Sequence, residues 1–322
     1  MKTTNLRIAV GLAIVYVVWG STYLAIRIGV ETMPPFLLAG IRFIVGGLML
    51  YGWARFNGAR KPKKSHWTPA VILGILMPVG GTGLVTWAEL SVPSGLTALL
   101  VAMAPMWMVL GDWLQPGGTR PRLTVGVGLL LGFVGVALLI DPINHGGSRE
   151  LDLFGALLIV VATVSWAAGS VYSKSAGQPE SKVLSVAMQM LTGGVGLILL
   201  AGVTGEIGAV DLGSVTISSW LALGYLTTAG SIAFAVYIWL ISAAGVAKAA
   251  TYAYVNPVLA LILGALLAGE TLSMWTLYCS AIIIVAIVII ITARTRPTVE
   301  IATATSPASC ADVTYPKTEV CK

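Results

Sequence analysis

The sequence predicts an all-α integral membrane protein, with ten transmembrane helices forming two inverted five-helix repeats and both termini cytoplasmic. Three observations carry this expectation. Of the 322 residues, 57% are hydrophobic and only 10% charged, and the mean hydropathy is +0.90; a soluble globule of this size would need far more polar surface. Apolar runs of roughly 20 residues, the helix length that crosses a hydrocarbon core about 30 Å thick, recur between short turns rich in Gly, Pro and charge. Landmarks of the first half return in the second at a nearly constant spacing.

Taken in order, the first run, Ile8 to Ile28, follows Lys2 and Arg7. It is too long for a secretion signal and lacks a small-x-small cleavage site, so it reads as a retained helix. Phe36 to Ala54, Pro69 to Ala88, Pro93 to Trp113 and Leu123 to Ile140 complete the first half. The second half supplies Leu153 to Tyr172, Val183 to Gly202, Ser218 to Ile241, Val246 to Ala268 and Trp275 to Thr292. None alternates in the manner of a strand, which favours a helical bundle over an outer-membrane barrel. From Thr295 to Lys322 the chain is rich in Thr, Ser, Pro and Val without a sustained period, the pattern of a disordered tail. Cys279 lies in the last run and Cys310 and Cys321 in the tail, so no disulfide framework is implied.

Charge sets the orientation. With the amino terminus inside, the inner turns collect Lys2, Arg7, Arg55, Arg60, Lys61, Lys63, Lys64, Arg120, Arg122, Lys174, Lys182, Lys248, Arg294 and Arg296, against Arg27 and Arg149 outside. That is the positive-inside asymmetry. The net charge of +6 is therefore accounted for by anionic lipid, with no nucleic-acid partner.

A shift of 147 residues lays Trp19 on Trp166, Arg27 on Lys174, Arg42 on Gln189, and Gly46 and Gly47 on Gly193 and Gly194. Slightly larger shifts lay Trp87 on Trp239 and Pro105 on Pro257. Five crossings per copy make the second copy enter from the opposite side, so the copies are inverted, an architecture of secondary transporters whose site lies where the copies meet.

The stretches VVWGSTYLAIRIG and PPFLLAGIRF in the first half, and YVNPVLALILGALLAGETLS in the second, resemble the drug/metabolite transporter superfamily, in particular its EamA-type ten-helix exporters. The resemblance implies two EamA repeats, 6–140 and 153–294, joined by a periplasmic connector, 141–152, and followed by the cytoplasmic tail, 295–322. It implies a bacterial inner-membrane location and a central cavity lined by helices 1 to 4 and 6 to 9, with 5 and 10 peripheral. The position matching Glu270 in the first half is Thr119, in the turn QPGGTRPR, so that turn is not expected to mirror its partner.

Several residues are candidates for the substrate cavity. Trp19, Tyr23 and Arg27 follow one another at i, i+4 and i+8 on one helix face, and Trp166, Ser170 and Lys174 repeat the spacing. Arg27 and Lys174 sit near helix ends, where they either gate or extend to headgroups. Arg42 lies about two turns inside its helix, where a cation needs a partner: a carbonyl, a carboxylate such as Glu89, or the substrate. Thr86 and Trp87 in the third run, Trp107 in the fourth, Tyr237 and Trp239 in the eighth, and Tyr252 and Asn256 in the ninth complete the set. Pro105 and Pro257 each remove a backbone hydrogen bond within a helix and are hinge candidates, with Lys174 as a gate. Gly128 and Gly132 form a small-xxx-small contact, within the chain or between subunits of a weak homodimer, a monomer being the alternative.

No GxxxxGK or HExxH motif is present, and His66 and His145 fall in separate turns. No metal or cofactor is called for, and the acids Glu89, Asp112 and Glu270 lie near helix ends. The expectation is a non-enzymatic exporter of small organic metabolites, amino acids or amphipathic drug-like compounds, working by alternating access. A phosphorylated-sugar or nucleotide-sugar carrier of the same superfamily is the alternative, and an intramembrane lipid-modifying enzyme a more distant one.

Overall fold

Ten apolar helices with short connections fill the computed structural model, which describes residues 2–114, 123–140, 152–244, 251–270 and 273–295. They are α1 (Lys2–Gly29), α2 (Pro35–Phe56), α3 (Lys64–Ala88), α4 (Ser94–Leu114), α5 (Leu123–Ile140), α6 (Leu153–Tyr172), α7 (Lys182–Val203), α8 (Ile217–Ala244), α9 (Tyr252–Leu267) and α10 (Met274–Thr295). Among the described residues, α1 to α4 and α6 to α8 are long and apolar enough to cross a membrane, and α5, α9 and α10 are shorter apolar helices. The turn at 115–122, the connector from 141 to 151, Lys248 and the tail beyond Thr295 lie outside the described residues.

Local chemistry sets the ends. Pro35 opens α2, where a missing N–H costs nothing. The Asp152 carboxylate accepts from Phe154 N at 3.1 Å to cap α6, and Ser181 Oγ accepts from Leu184 N at 3.3 Å to cap α7. Gly269, at φ +62°, turns the chain out of α9 and delivers Glu270. Two helices are irregular. Residues Ile75–Gly83 of α3 run as a π-helix around Pro78, and α4 is broken between Val101 and Ala104, just ahead of Pro105. Pro257, by contrast, sits inside continuous α9.

Helices of opposite halves pack together: α1 against α8 and α9, α6 against α3 and α4, α2 along α7, and α5 along α10. Exchanging the halves leaves this pattern unchanged. The α2–α7 seam shows it at atomic scale. A Cβ on Gly47 would lie 3.0 Å from Leu191 Cγ, and one on Gly194 would lie 2.8 Å from Ile44 Cγ1, with Leu191 and Ile44 themselves related by the repeat. Gly128 and Gly132 pack against Ile290 and Met106 of the same chain, a packing role inside one chain. Outward faces carry bare aliphatics such as Leu199, Leu130 and Leu266, about two-thirds exposed or more, a surface suited to lipid.

Gly193 is a tight point of the α3–α7 contact, since an added Cβ would lie 2.4 Å from Pro78 Cβ and 2.7 Å from the Gly74 carbonyl oxygen. Neither a proline ring nor a backbone can yield. Gly193→Ala is therefore expected to destabilise by about 1–3 kcal/mol, read as a lowered unfolding temperature of the purified protein. Gly52→Ala, where nothing lies within 4 Å, is the unaffected control.

Candidate functional site

A cavity of about 620 Å³ lies where the two halves meet, within the size range of small-molecule sites. From α1 come Trp19, Thr22, Tyr23 and Ile26, the i, i+3, i+4, i+7 face of one helix. From α6 come Ala162, Thr163 and Trp166; Arg42 and Phe43 of α2 are answered by Val186, Gln189 and Met190 of α7. The π-helical part of α3 contributes Met77, Pro78, Gly81 and Thr82, the broken part of α4 contributes Ala102, Ala104 and Pro105, and α8 and α9 contribute Ser231, Phe234, Tyr237, Tyr252, Asn256 and Pro257. The lining includes no described residue of α5 and only Ile290 of α10, as the sequence resemblance implied.

One wall is aromatic. The Trp19 ring lies 4.9 Å from Tyr237, 4.7 Å edge-on to Tyr252 and 5.8 Å from Phe234, and Tyr237 and Tyr252 meet edge-on at 5.5 Å. These are favourable tilted and T-shaped geometries. Just beyond, the Tyr16 and Thr251 hydroxyls share a hydrogen bond of 2.5 Å. The opposing polar feature is Arg42, whose guanidinium lies 4.7 Å from the centroid of Phe43. Its buried Nη1 has no hydrogen-bond partner among the described residues, and neither has Asn256 Oδ1. Among the described residues of the lining, Arg42 is the only Lys or Arg.

The turn from Glu89 to Gly95, between α3 and α4, is fastened from three directions. Arg27 Nη1 donates to the carbonyls of Glu89 and Leu90, the latter at 3.0 Å. Ser91 Oγ donates to Asp152 at 2.5 Å, which holds the Asp152 carboxyl below its usual range. Glu270 accepts from Ser94 N and Ser94 Oγ, each at 2.7 Å, and from Gly95 N at 3.1 Å, capping α4 from the other half of the chain. Glu206 likewise accepts from Leu37 N at 3.0 Å near the start of α2; partial burial nonetheless leaves its carboxyl above the usual range.

Of the residues singled out in the sequence, Trp19, Tyr23, Arg42, Trp166, Tyr237, Tyr252, Asn256, Pro105 and Pro257 line the cavity. Seven do not. Arg27 is spent on the carbonyls of the α3–α4 turn. Thr86 is fully buried and bonds back to Thr82 O at 2.8 Å; Ser170 bonds back to Trp166 O at 2.8 Å. Trp87 packs edge-on to Phe154, and Trp107 edge-on to Phe133 of α5. Trp239 is 40% exposed. Lys174 pairs with Asp112 at 2.6 Å, its own side chain 61% exposed. Of the three kinds of partner considered for Arg42, the Glu89 carboxylate is not bonded to it, for its oxygens have no hydrogen-bond partner among the described residues. Glu89 ends its helix, as its place in the chain suggested, but it is fully buried. Since exposed ion pairs contribute about 0–1 kcal/mol, Lys174→Ala is expected to leave the unfolding temperature almost unchanged.

Sequence reading missed Phe234, Ser231, Phe43, Thr22 and the α3 segment around Pro78. Phe234 carried a signal, lying three residues before Tyr237 on the same face; the sequence Pro78-Val79-Gly80-Gly81 inside an apolar run was another.

The profile of the EamA-like transporter family matches the chain twice, at residues 7–141 and 153–292. The chain is 38% identical over 278 residues to the uncharacterized inner membrane transporter YedA of Escherichia coli K12, covering 85% of this chain and 87% of that one. It is 28% identical to the uncharacterized transporter YvbV of Bacillus subtilis, over 90% and 93% of the two chains. It is 27% identical to a probable amino-acid metabolite efflux pump of Salmonella typhimurium, over 81% and 86%. A solved crystal structure, 24% identical, superposes at a TM-score of 0.59 over 89% of this chain and 97% of that one, a likeness of fold alone.

Proposed function

We propose, on the premise that the chain belongs to the EamA-like transporter family, that it exports small organic metabolites, amino acids or amphipathic drug-like compounds, by alternating access. In this reading the multi-pass inner-membrane chain crosses ten times, as two inverted five-helix repeats with both termini cytoplasmic. The observation that carries it is the cavity, built by both halves, with an aromatic wall from Trp19, Tyr237 and Tyr252 and, among the described residues, a single cation, Arg42. Aromatic walls bury an apolar or ring-bearing body, and one guanidinium matches one carboxylate. A phosphorylated sugar needs several converging cations, which suits this lining less well.

The lining runs through the bundle, from Val186 and Tyr252 near the starts of α7 and α9 to Ile26 and Val85 in the last turns of α1 and α3. Uptake and counterflow of radiolabelled amino acids in proteoliposomes, phenylalanine and leucine included, test the reading. Saturable counterflow of at least one is expected; intact protein that moves none of them overturns it.

A further inference from the structure

The cavity accounts for Arg42 but not for the fully buried carboxylate of Glu89. Both of its oxygens lack a hydrogen-bond partner among the described residues. A buried, unpaired carboxylate is among the most costly groups a membrane protein can keep, and it is tolerated where it changes charge in the course of function. Its surroundings come from every element packed on the end of α3. Tyr23 and Arg27 of α1, Arg42 of α2 and Glu270 after α9 all act on it electrostatically, while Asp152 of α6 is engaged by the neighbouring Ser91. Arg27 spends its hydrogen bonds on backbone carbonyls, those of Glu89 and Leu90. Arg42, by contrast, keeps Nη1 unbonded among the described residues and faces the cavity.

We propose that Glu89 is a proton-binding site linked to the cavity through Arg42. With a proton on Glu89, Arg42 is free to hold a carboxylate in the cavity. With the proton released to water, the Glu89 carboxylate competes for the same guanidinium. Proton and anionic substrate thereby bind cooperatively and travel in the same direction, so export driven by the substrate's own gradient carries a proton out with it, and an acidic compartment drives accumulation on the opposite side. The purpose of the site rests on the transport reading above; its test does not.

Infrared spectra of the chain in lipid nanodiscs, titrated from mildly acidic to mildly alkaline pH, report the carboxylic-acid C=O stretch directly. Wild type is expected to show an acid band that titrates reversibly, shifts on glutamate carboxyl-13C labelling and is absent from Glu89→Gln. In Arg42→Gln, loss of the neighbouring cation is expected to carry the band's midpoint upward by about one to three pH units, with Arg42→Lys largely restoring it. A wild-type spectrum without a 13C-sensitive acid band overturns the site, and this arm needs no variant to fold. An unmoved midpoint in Arg42→Gln overturns the link. In proteoliposomes, Glu89→Gln is expected to retain counterflow of the radiolabelled amino acids and to lose accumulation driven by a pH gradient; accumulation at the wild-type level overturns the coupling. If wild type carries no solute, the transport reading fails, while the infrared titration still decides this one.

Discussion

Glu270→Ala is expected to lower the stability of the protein by about 2–4 kcal/mol, combining the loss of a helix cap, about 0.5–2 kcal/mol, with buried donors left unbonded, about 1–3 kcal/mol each. Three donors at the start of α4 depend on this one carboxylate, and Ser94 is fully buried. No water-facing substitute is at hand for them. Glu270→Gln keeps one acceptor oxygen and is expected to recover part of the loss. The check is the unfolding temperature of purified protein in detergent, expected to fall by several degrees for alanine and less for glutamine. Equal effects of the two would mean that charge, and not acceptor count, holds α4.

Trp19→Ala is expected to reduce transport about tenfold or more at low substrate concentration. The indole faces the cavity beside Phe234, Tyr237 and Tyr252, where a substrate ring packed on it gains about 0.5–1.5 kcal/mol beyond buried area, and about 1.4 kcal/mol corresponds to tenfold. Trp19→Phe keeps an apolar face and is expected to stay within about threefold of wild type. Trp87→Ala is the contrast. Its ring packs on Phe154 away from the cavity, so the expected loss is of stability, on the order of 3 kcal/mol, with transport per folded molecule unchanged. Measured rates normalised to folded protein separate the two; a transport defect confined to Trp87→Ala would move the site away from α1.

The sequence revealed the helices through the length of their apolar runs, and the repeat through landmarks such as Trp19 and Trp166. It also revealed much of the cavity, because Trp19 and Tyr23 share a face and their counterparts on α8 and α9 are aromatic. Rotation of each helix about its own axis was less legible. Trp87, Trp107 and Trp239 are the same residue type as Trp19, yet they face neighbouring helices or the outer surface. Contacts between distant residues were not legible at all: Glu270 binds Ser94 across 176 positions, and nothing in either stretch alone names the other. The burial of Glu89 has the same cause, since a helix-end residue becomes interior only when other segments close over it.

The seam between α2 and α7 carries one more consequence. Its reciprocal contacts set Gly47 against the side chain and backbone nitrogen of Leu191, and Gly194 against those of Ile44, so each glycine lets one helix lie close on the other. A substituent at either glycine would have to displace a branched side chain with backbone directly behind it, which leaves the joint little room to repack. In the alternating access proposed above, this seam is the line about which the two halves would roll.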